Sequence, residues 1–323
     1  MTPPARHYLD FERPIAELEG KIDELSKIAE NSRPVAIGAE LHALRNRAEV
    51  LRTDLYAQLD PWRKTQVARH PARPHFRDYV GALIEDWVEL RGDRKFADDQ
   101  AIVGGLGRFR GRPVLIMGHE KGADTATRLR HNFGMARPEG YRKAVRLMDM
   151  AERFGLAVIS LVDTAGAYPG LGAEERGQAE AIARSTERGL TLGTPFITVV
   201  TGEGGSGGAI ALAAANKVLI LEHSIYSVIS PEGAASILFR DGARAKEAAA
   251  AMKITADDLL AMKIVDGIVP EPLGGAHSDP ARAITAVGDA IEAELRGLEG
   301  LSPDALRRQR AERFYVIGRA AGA

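Results

Sequence analysis

Apolar residues recur at helical spacing through the first sixty positions. Ile15, Leu18, Ile22, Leu25 and Ile28 predict an amphipathic helix from Phe11 to about Asn31. Leu41, Leu44, Ala48, Leu51 and Leu55 predict a second over Val35–Gln58. The two read as an antiparallel helical hairpin joined near Arg33-Pro34. Its narrow stripe suits either a cap on the core or a docking arm for a partner. Trp62–Arg77 is a basic connector carrying Arg63, Lys64, Arg69, His70, Arg73, His75 and Arg77, with Pro71 and Pro74 as helix breakers. Such a run reads as a solvated loop or as a site for an anionic ligand or acidic partner. We place the domain boundary here, with residues 1–75 a partner-docking unit and 76–323 the main domain.

The main domain opens with a predicted helix at about Phe76–Leu90. A hairpin follows, Ala101–Phe109 turning at Gly111 into Pro113–His119. Glu120–Phe133 is irregular and polar. Pro138 starts a helix to Phe154. The pattern then alternates: strand 157–162, loop 163–170, helix 174–190, strand 196–201, loop 202–208, a short Ala-rich helix 209–215 and strand 217–221. Tyr226–Ser230 and Ile264–Val269 read as further strands, with helices from Pro231 and over 243–252 and 256–262 between them. Two charged helices, 279–298 and 302–319, form the tail. Such alternation predicts an α/β fold with a mostly parallel sheet and functional loops at the strand carboxyl ends.

Two of those loops are rich in glycine. Gly202-Glu203-Gly204-Gly205-Ser206-Gly207-Gly208 joins a β-branched strand to a helix, a junction that aims free backbone N–H groups and a helix dipole at whatever lies above it. Asp163-Thr164-Ala165-Gly166 suggests a γ-phosphate sensor, but the chain has no Gly-x-x-x-x-Gly-Lys-Ser/Thr. Gly204-Gly205-Ser206-Gly207-Gly208 fits a serine nucleophile elbow, with Asp266 and His277 as candidate partners. The third reading is an oxyanion hole without a side-chain nucleophile, made by N–H groups converging from both loops. Glu203 is a candidate base or a salt-bridged rim acid. Arg128, Arg130 and His131 are candidates for phosphate contacts or plain surface residues.

Composition narrows these classes. The chain has 323 residues, 45% of them apolar, which suffices for a large core. A net charge of −1 speaks against a nucleic-acid or membrane-surface role. Having no cysteine, it contains no disulfide, thiolate metal site or cysteine nucleophile. No leader-like apolar region follows the N-terminus and no stretch reaches 18 apolar residues, so neither a signal peptide nor a membrane span is expected, and a cytoplasmic location is.

Several long strings resemble one family, the α subunit of the carboxyltransferase component of bacterial acetyl-CoA carboxylase. They are Leu9–Pro14, Asn132–Met135, Pro138–Ala144, Asp163–Gln178, Gly202–Gly208, Tyr226–Gly233 and Pro270–His277, spread over residues 9 to about 320. The resemblance implies a crotonase-like fold, a spiral of ββα units with an N-terminal helical extension. It implies an α2β2 assembly, active only with a β subunit that carries a zinc ribbon, with no metal in this chain. A biotin carboxyl carrier protein, and biotin carboxylase within the larger ATP-dependent complex, would be further partners. The implied reaction moves the carboxyl group of N1′-carboxybiotin to acetyl-CoA, giving malonyl-CoA for fatty-acid synthesis. The N–H groups at Gly204, Gly205, Gly207 and Gly208, with those at Gly166 and Ala167, would hold the ureido oxygen. Tyr168, Pro169, Gly170 and Ser206 would neighbour biotin. Three positions depart from the family strings: Ala136 and Ala165 stand for proline, Ala235 for cysteine.

Overall fold

Strict alternation along the central strands accounts for the architecture. Leu115, Met117, Val158, Val162, Val200, Val218 and Ile220 face one core, and Val114, Ile116, Ile159, Leu161, Ile197, Val199, Leu219 and Leu221 face another. A sheet apolar on both faces must be covered on both. The computed structural model describes residues 7–31 and 35–320, so the predicted join at Arg33-Pro34 lies outside the described residues.

In chain order, helices α1 (Arg13–Asn31) and α2 (Val35–Ala57) pack together, followed by α3 (Pro61–Ala68) and α4 (Phe76–Leu83). Strands β1 (Ile84–Glu89), β2 (Ile102–Phe109) and β3 (Arg112–His119) form an antiparallel meander. Helices α5 (Thr125–Arg130) and α6 (Pro138–Phe154) lead to β4 (Ala157–Thr164). Then come α7 (Leu171–Glu174), α8 (Gln178–Thr191), β5 (Phe196–Gly205), α9 (Ser206–Ile210), β6 (Lys217–Leu221) and β7 (Ile225–Ser227). The chain continues through α10 (Pro231–Phe239), α11 (Ala245–Met252), α12 (Ala256–Ala261), β8 (Gly267–Val269), α13 (Pro280–Leu298) and α14 (Pro303–Ala320). The sheet order is β1-β2-β3-β4-β5-β6-β8, parallel from β3 onward, with β7 also paired to β5. Tyr141, Leu147 and Met148 of α6 cover one face; Phe76 and Tyr79 of α4 with Val287 and Ile291 of α13 cover the other. No helix among the described residues is long and apolar enough to cross a membrane.

Three local expectations are corrected. The helix expected over 76–90 ends at Leu83, and Ile84–Glu89 is an edge strand beside β2. Glycines in β2 allow this close approach: a Cβ on Gly105 would stand 2.8 Å from the Trp87 ring. The connector holds a helix, α3, started by Pro61 and capped by the Asp60 carboxylate, which accepts from Arg63 N at 2.8 Å. Nor is it solvated. Arg73 is buried, donating to both carboxylate oxygens of Glu271 at 2.8 Å and to the Thr201 carbonyl at 2.9 Å. Finally, strand β5 runs on to Gly205, so the first half of the expected glycine loop is sheet.

Candidate functional site

Strand β5 changes neighbours along its length. Ile197–Val200 pairs with β6, and Glu203–Gly205 pairs with β7. On its other side Gly204 lies opposite Thr164 at the end of β4. The two glycine-bearing segments therefore meet, and the glycines are there because other backbone is. A Cβ on Gly205 would lie 2.9 Å from Gly166 N and closer still to the Ala165 carbonyl; one on Gly208 would lie 2.7 Å from Gly166 C and 2.9 Å from Ala167 N. A Cβ on Gly204 would meet the Tyr226 ring at 2.9 Å. Gly207 is looser, with only Ile182 at 3.4 Å, and Gly166, at φ +151°, faces open space.

At the turn into α9, Ser206 adopts φ +49°. The N-cap of this five-residue helix is Gly205, which offers no side chain to its first N–H groups. The turn after α9 is pinned from below: Ser160 and Thr198 hydroxyls reach the Leu212 carbonyl at 2.6 and 2.9 Å. In the facing loop Gly166 N–H is bonded to Thr164 Oγ1 at 3.1 Å. Among the described hydrogen bonds Ala167 N–H has no acceptor, leaving it as that loop's available donor. The loop then departs. Tyr168 N–H donates to the Ala136 carbonyl at 3.0 Å, Arg137 lies over the Tyr168 ring at 4.6 Å, and that ring packs on Gly170. So Gly204, Gly205, Gly207, Gly208, Gly166, Ala167 and Ser206 are brought together, while Tyr168, Pro169 and Gly170 lead away along the loop.

Charged groups surround the glycines, and two of them, Lys121 and Arg69, were not placed here by sequence reasoning. Asp163, buried at the end of β4, accepts from Glu203 N at 2.9 Å and from Lys121 at 2.6 Å. Burial pushes its carboxyl up, but the Lys121 ammonium and the Glu203 N–H more than offset this, and its pKa is lowered. A Cβ on Gly202 would sit 2.7 Å from the Asp163 Cγ. Arg69 spans two acids, reaching Glu203 at 2.6 Å and Glu232 of α10 at 2.6 Å. Glu203 is thus a salt-bridged acid. His119 lies buried beside the Gly208 backbone, and burial drives its pKa down to about 3, so its imidazole is neutral.

Next to the glycine turn opens a crevice of about 250 Å³. Its wall includes Arg69, His75, Lys121, Arg128, Phe133, Asp163, Ala165 and Glu203. His75 also borders a larger cavity of about 530 Å³, of mixed charge, where Arg77 pairs with Glu89 and Lys143 with Asp98. The connector's Arg69 and His75 carry no local motif; only the basic run at 62–77 pointed to them.

The hydrolase constellation is not assembled. Ser206 has an elbow-like turn, but Asp266 accepts from Val218 N at 2.7 Å and from Arg313 at 2.8 Å, while His277 stacks on His70 at 3.6 Å. Neither is hydrogen-bonded to Ser206 among the described residues. No group of three or more metal donors is arranged among the described residues to hold an ion.

The family model described as acetyl co-enzyme A carboxylase carboxyltransferase-like matches residues 8–318. The chain is 75% identical over 315 residues to an acetyl-coenzyme A carboxylase carboxyl transferase subunit alpha of Caulobacter sp. (strain K31), covering 98% of each chain. It is 69% identical over 315 residues to the same subunit of Phenylobacterium zucineum, again covering 98% of each. Among solved structures, transcarboxylase 12S aligns at TM-score 0.55 and 22% identity, over 68% of this chain and 41% of that one. A Pseudomonas malonate decarboxylase hetero-tetramer in complex with coenzyme A aligns at TM-score 0.56 and 17% identity, over 70% and 91%. These likenesses bear out the crotonase-like α/β fold expected from the sequence.

Proposed function

The chain belongs to the acetyl-coenzyme A carboxylase carboxyltransferase alpha-subunit family, and from that premise we propose that its paired glycine segments form a backbone anion hole for carboxyl transfer to acetyl-CoA. Carboxybiotin, presented by a carrier protein, supplies an activated carboxyl group and gathers negative charge on its ureido oxygen as that group departs. A small planar head fits here, because Gly166 faces open space and the adjoining crevice is about 250 Å³.

The observation that carries the reading is the glycine N-cap of α9. With no capping side chain, the N–H groups of Ser206, Gly207 and Gly208 at the helix head have no intrahelical acceptor. Ala167 N–H approaches from the facing loop, because Gly208 and Ala167 are packed together. Donors fixed in this way need no reorganisation as charge develops, and one such donor is worth ~2.7–4 kcal/mol of barrier. Tyr168, Pro169 and Gly170 form the outer wall of the same loop. Glu203, salt-bridged to Arg69, is not asked to act as a base; the ureido group of biotin, held at Ser206, Gly207, Gly208 and Ala167, would supply the basic centre. A partner β subunit, in an α2β2 assembly, supplies the matching hole for the acyl-CoA oxygen, and malonyl-CoA is the product.

The test is carboxyl transfer by this chain alone, then with its cognate partner subunit, using carboxylated carrier and acetyl-CoA. Malonyl-CoA formed only in the mixture supports the reading. Formation by the lone chain, or none from a well-formed complex, refutes it.

A further inference from the structure

The basic connector meets the glycine strand at two places. Arg73 donates to the Thr201 carbonyl at 2.9 Å. Further along the strand, Arg69 reaches the Glu203 carboxylate with Nε at 3.1 Å and Nη2 at 2.6 Å. The second contact has a particular weight. Five of the seven residues in Gly202–Gly208 are glycine, so only Glu203 and Ser206 have side chains. Ser206 is exposed, while Glu203 is buried. Glycine backbone loses the most conformational freedom on ordering and has no side chain of its own to pack. The Glu203 carboxylate is thus the one buried side-chain handle by which the rest of the protein fixes this segment.

Arg69 is itself fixed at both ends. Its backbone closes α3, where Arg69 N–H donates to the Thr65 carbonyl at 3.2 Å. Ala68, just before it, is buried in a cluster with Ile225 of β7 and Ala249 of α11. Its guanidinium also meets Glu232 in the first turn of α10, with Nη1 2.6 Å from one oxygen and Nη2 3.3 Å from the other. Strand β7, which pairs with Glu203–Gly205, runs through Val228–Ser230 into that same helix. One planar guanidinium therefore ties the glycine segment to the helix that follows its neighbouring strand. It does so as a rigid fork, whereas an ammonium is a point charge without those fixed directions. On the far side of Glu203, Asp163 accepts its N–H and is paired with Lys121. Without Arg69 the Glu203 carboxylate would stand buried and unpaired, beside a site built to receive negative charge.

We propose that Arg69 is a positioning residue for carboxyl transfer: through Glu203 it fixes the glycine segment whose N–H groups form the anion hole. The proposal rests on the carboxyl-transfer reading above and deepens it, giving Arg69 a role without contact with the reacting atoms. Donors that act as charge develops lower the barrier without tightening substrate binding, so their misplacement falls on kcat and spares KM.

The experiment uses the chain in complex with its partner subunit. It measures kcat and the KM values for carboxylated carrier and acetyl-CoA. Amide hydrogen exchange is followed by mass spectrometry across Gly202–Ile210, with α6 and α13 as references. Arg69→Lys keeps the charge and loses the fork. Its kcat should fall about 10- to 100-fold, with both KM values within about threefold of wild type. Exchange of the Glu203–Gly205 amides should quicken about tenfold in that variant, while the reference helices stay unchanged. Glu203→Gln leaves Arg69 an acceptor oxygen and should keep kcat within about tenfold, whereas Glu203→Ala should fall about as far as Arg69→Lys. The double variant, Arg69→Gln with Glu203→Gln, removes both charges and so leaves no buried unpaired carboxylate. Its kcat should remain about 10- to 100-fold below wild type. Recovery of kcat in the double variant overturns the proposal, because Arg69 would then serve only to neutralise Glu203. A raised KM with kcat unchanged in Arg69→Lys overturns it by making Arg69 a substrate contact. Losses of equal depth in Glu203→Gln and Glu203→Ala overturn it by making the Glu203 charge itself the active group. Unchanged exchange in Arg69→Lys also overturns it. A wild-type complex that makes no malonyl-CoA overturns the carboxyl-transfer reading instead, and exchange then still judges whether Arg69 fixes the segment.

Discussion

Gly205 and Gly207 stand two residues apart in one turn, and replacing each by alanine should give opposite results. A Cβ on Gly205 would fall well inside 3.0 Å of the Ala165 carbonyl and 2.9 Å from Gly166 N, where ordinary contact begins at 3.4 Å. Both neighbours are backbone, so the facing loop must withdraw, by about 1 Å, and a misplacement of that size costs about 10²-fold in rate. Overpacking should add ~1–3 kcal/mol of destabilisation. A Cβ on Gly207 meets only Ile182 methyl groups at 3.4 Å, and the position is helical, so alanine there should stabilise by up to ~1 kcal/mol. The assay is kcat for malonyl-CoA formation in the reconstituted complex at saturating substrates, with urea midpoints for each variant. Gly205→Ala should lose about 10²–10³-fold in kcat, and Gly207→Ala should stay within about threefold of wild type, since alanine there moves neither loop. Equal losses in the two variants would mean that a ligand, and not the facing loop, demands glycine. A Gly205→Ala enzyme with kcat intact would refute the packing argument.

Other outcomes follow from single features. Ser206→Gly should raise stability by ~1 kcal/mol, because an L residue in the left-handed region costs ~1–2 kcal/mol, and should leave transfer within a few-fold; loss of transfer in Ser206→Ala would restore a serine role. Arg73 holds Glu271 at a pKa of about 2 despite its burial, against an ordinary 4.5. Its contribution is therefore complete above pH 4.5 and lost as pH falls toward 2. Glu271→Gln should destabilise by ~3–5 kcal/mol at neutral pH and flatten the urea-midpoint slope between pH 4.5 and 2. Burial, with His70 and Arg73 beside it, lowers His277 from 6.5 to about 3. The unfolded chain then takes that proton first, so stability falls as pH drops from 6.5 to 3. His277→Gln should reduce that decline, read from midpoints across the same interval.

Periodicity located the elements whose partners are local. Pro138–Phe154 and Pro280–Leu298 are helices almost to the residue, because caps and stripes lie in the sequence itself. The hairpin turned where Gly111 said it would. What failed were the segments decided by distant chain. The helix expected to run to Leu90 stops at Leu83, because pairing with β2 and its glycines holds Ile84–Glu89 as strand. Gly202–Gly205 has the composition of a loop, yet β4 on one side and β7 on the other hold it as strand. The glycine segments were visible as chemistry, and their union was foreseeable from loops at strand ends. The basic run included His75 and a family string included Phe133, but a buried orphan nitrogen and a left-handed phenylalanine leave no mark in residue spacing.

The buried pair of Arg73 and Glu271 also carries a clock. The two residues lie 198 positions apart in the chain, and ribosomes add roughly 5–20 residues per second. Arg73 thus waits roughly 10–40 s for its carboxylate at that pace. Among the described residues the Thr201 carbonyl and the Ser224 hydroxyl also accept from Arg73, and they are made 128 and 151 residues after it. A chain ending before residue 271 could bury Arg73 as the complete fold does only without its counter-charge, at a cost of ~3–5 kcal/mol. Arg73 also holds the Thr201 carbonyl of the glycine strand, so that strand gains its full support only once residue 271 has been made.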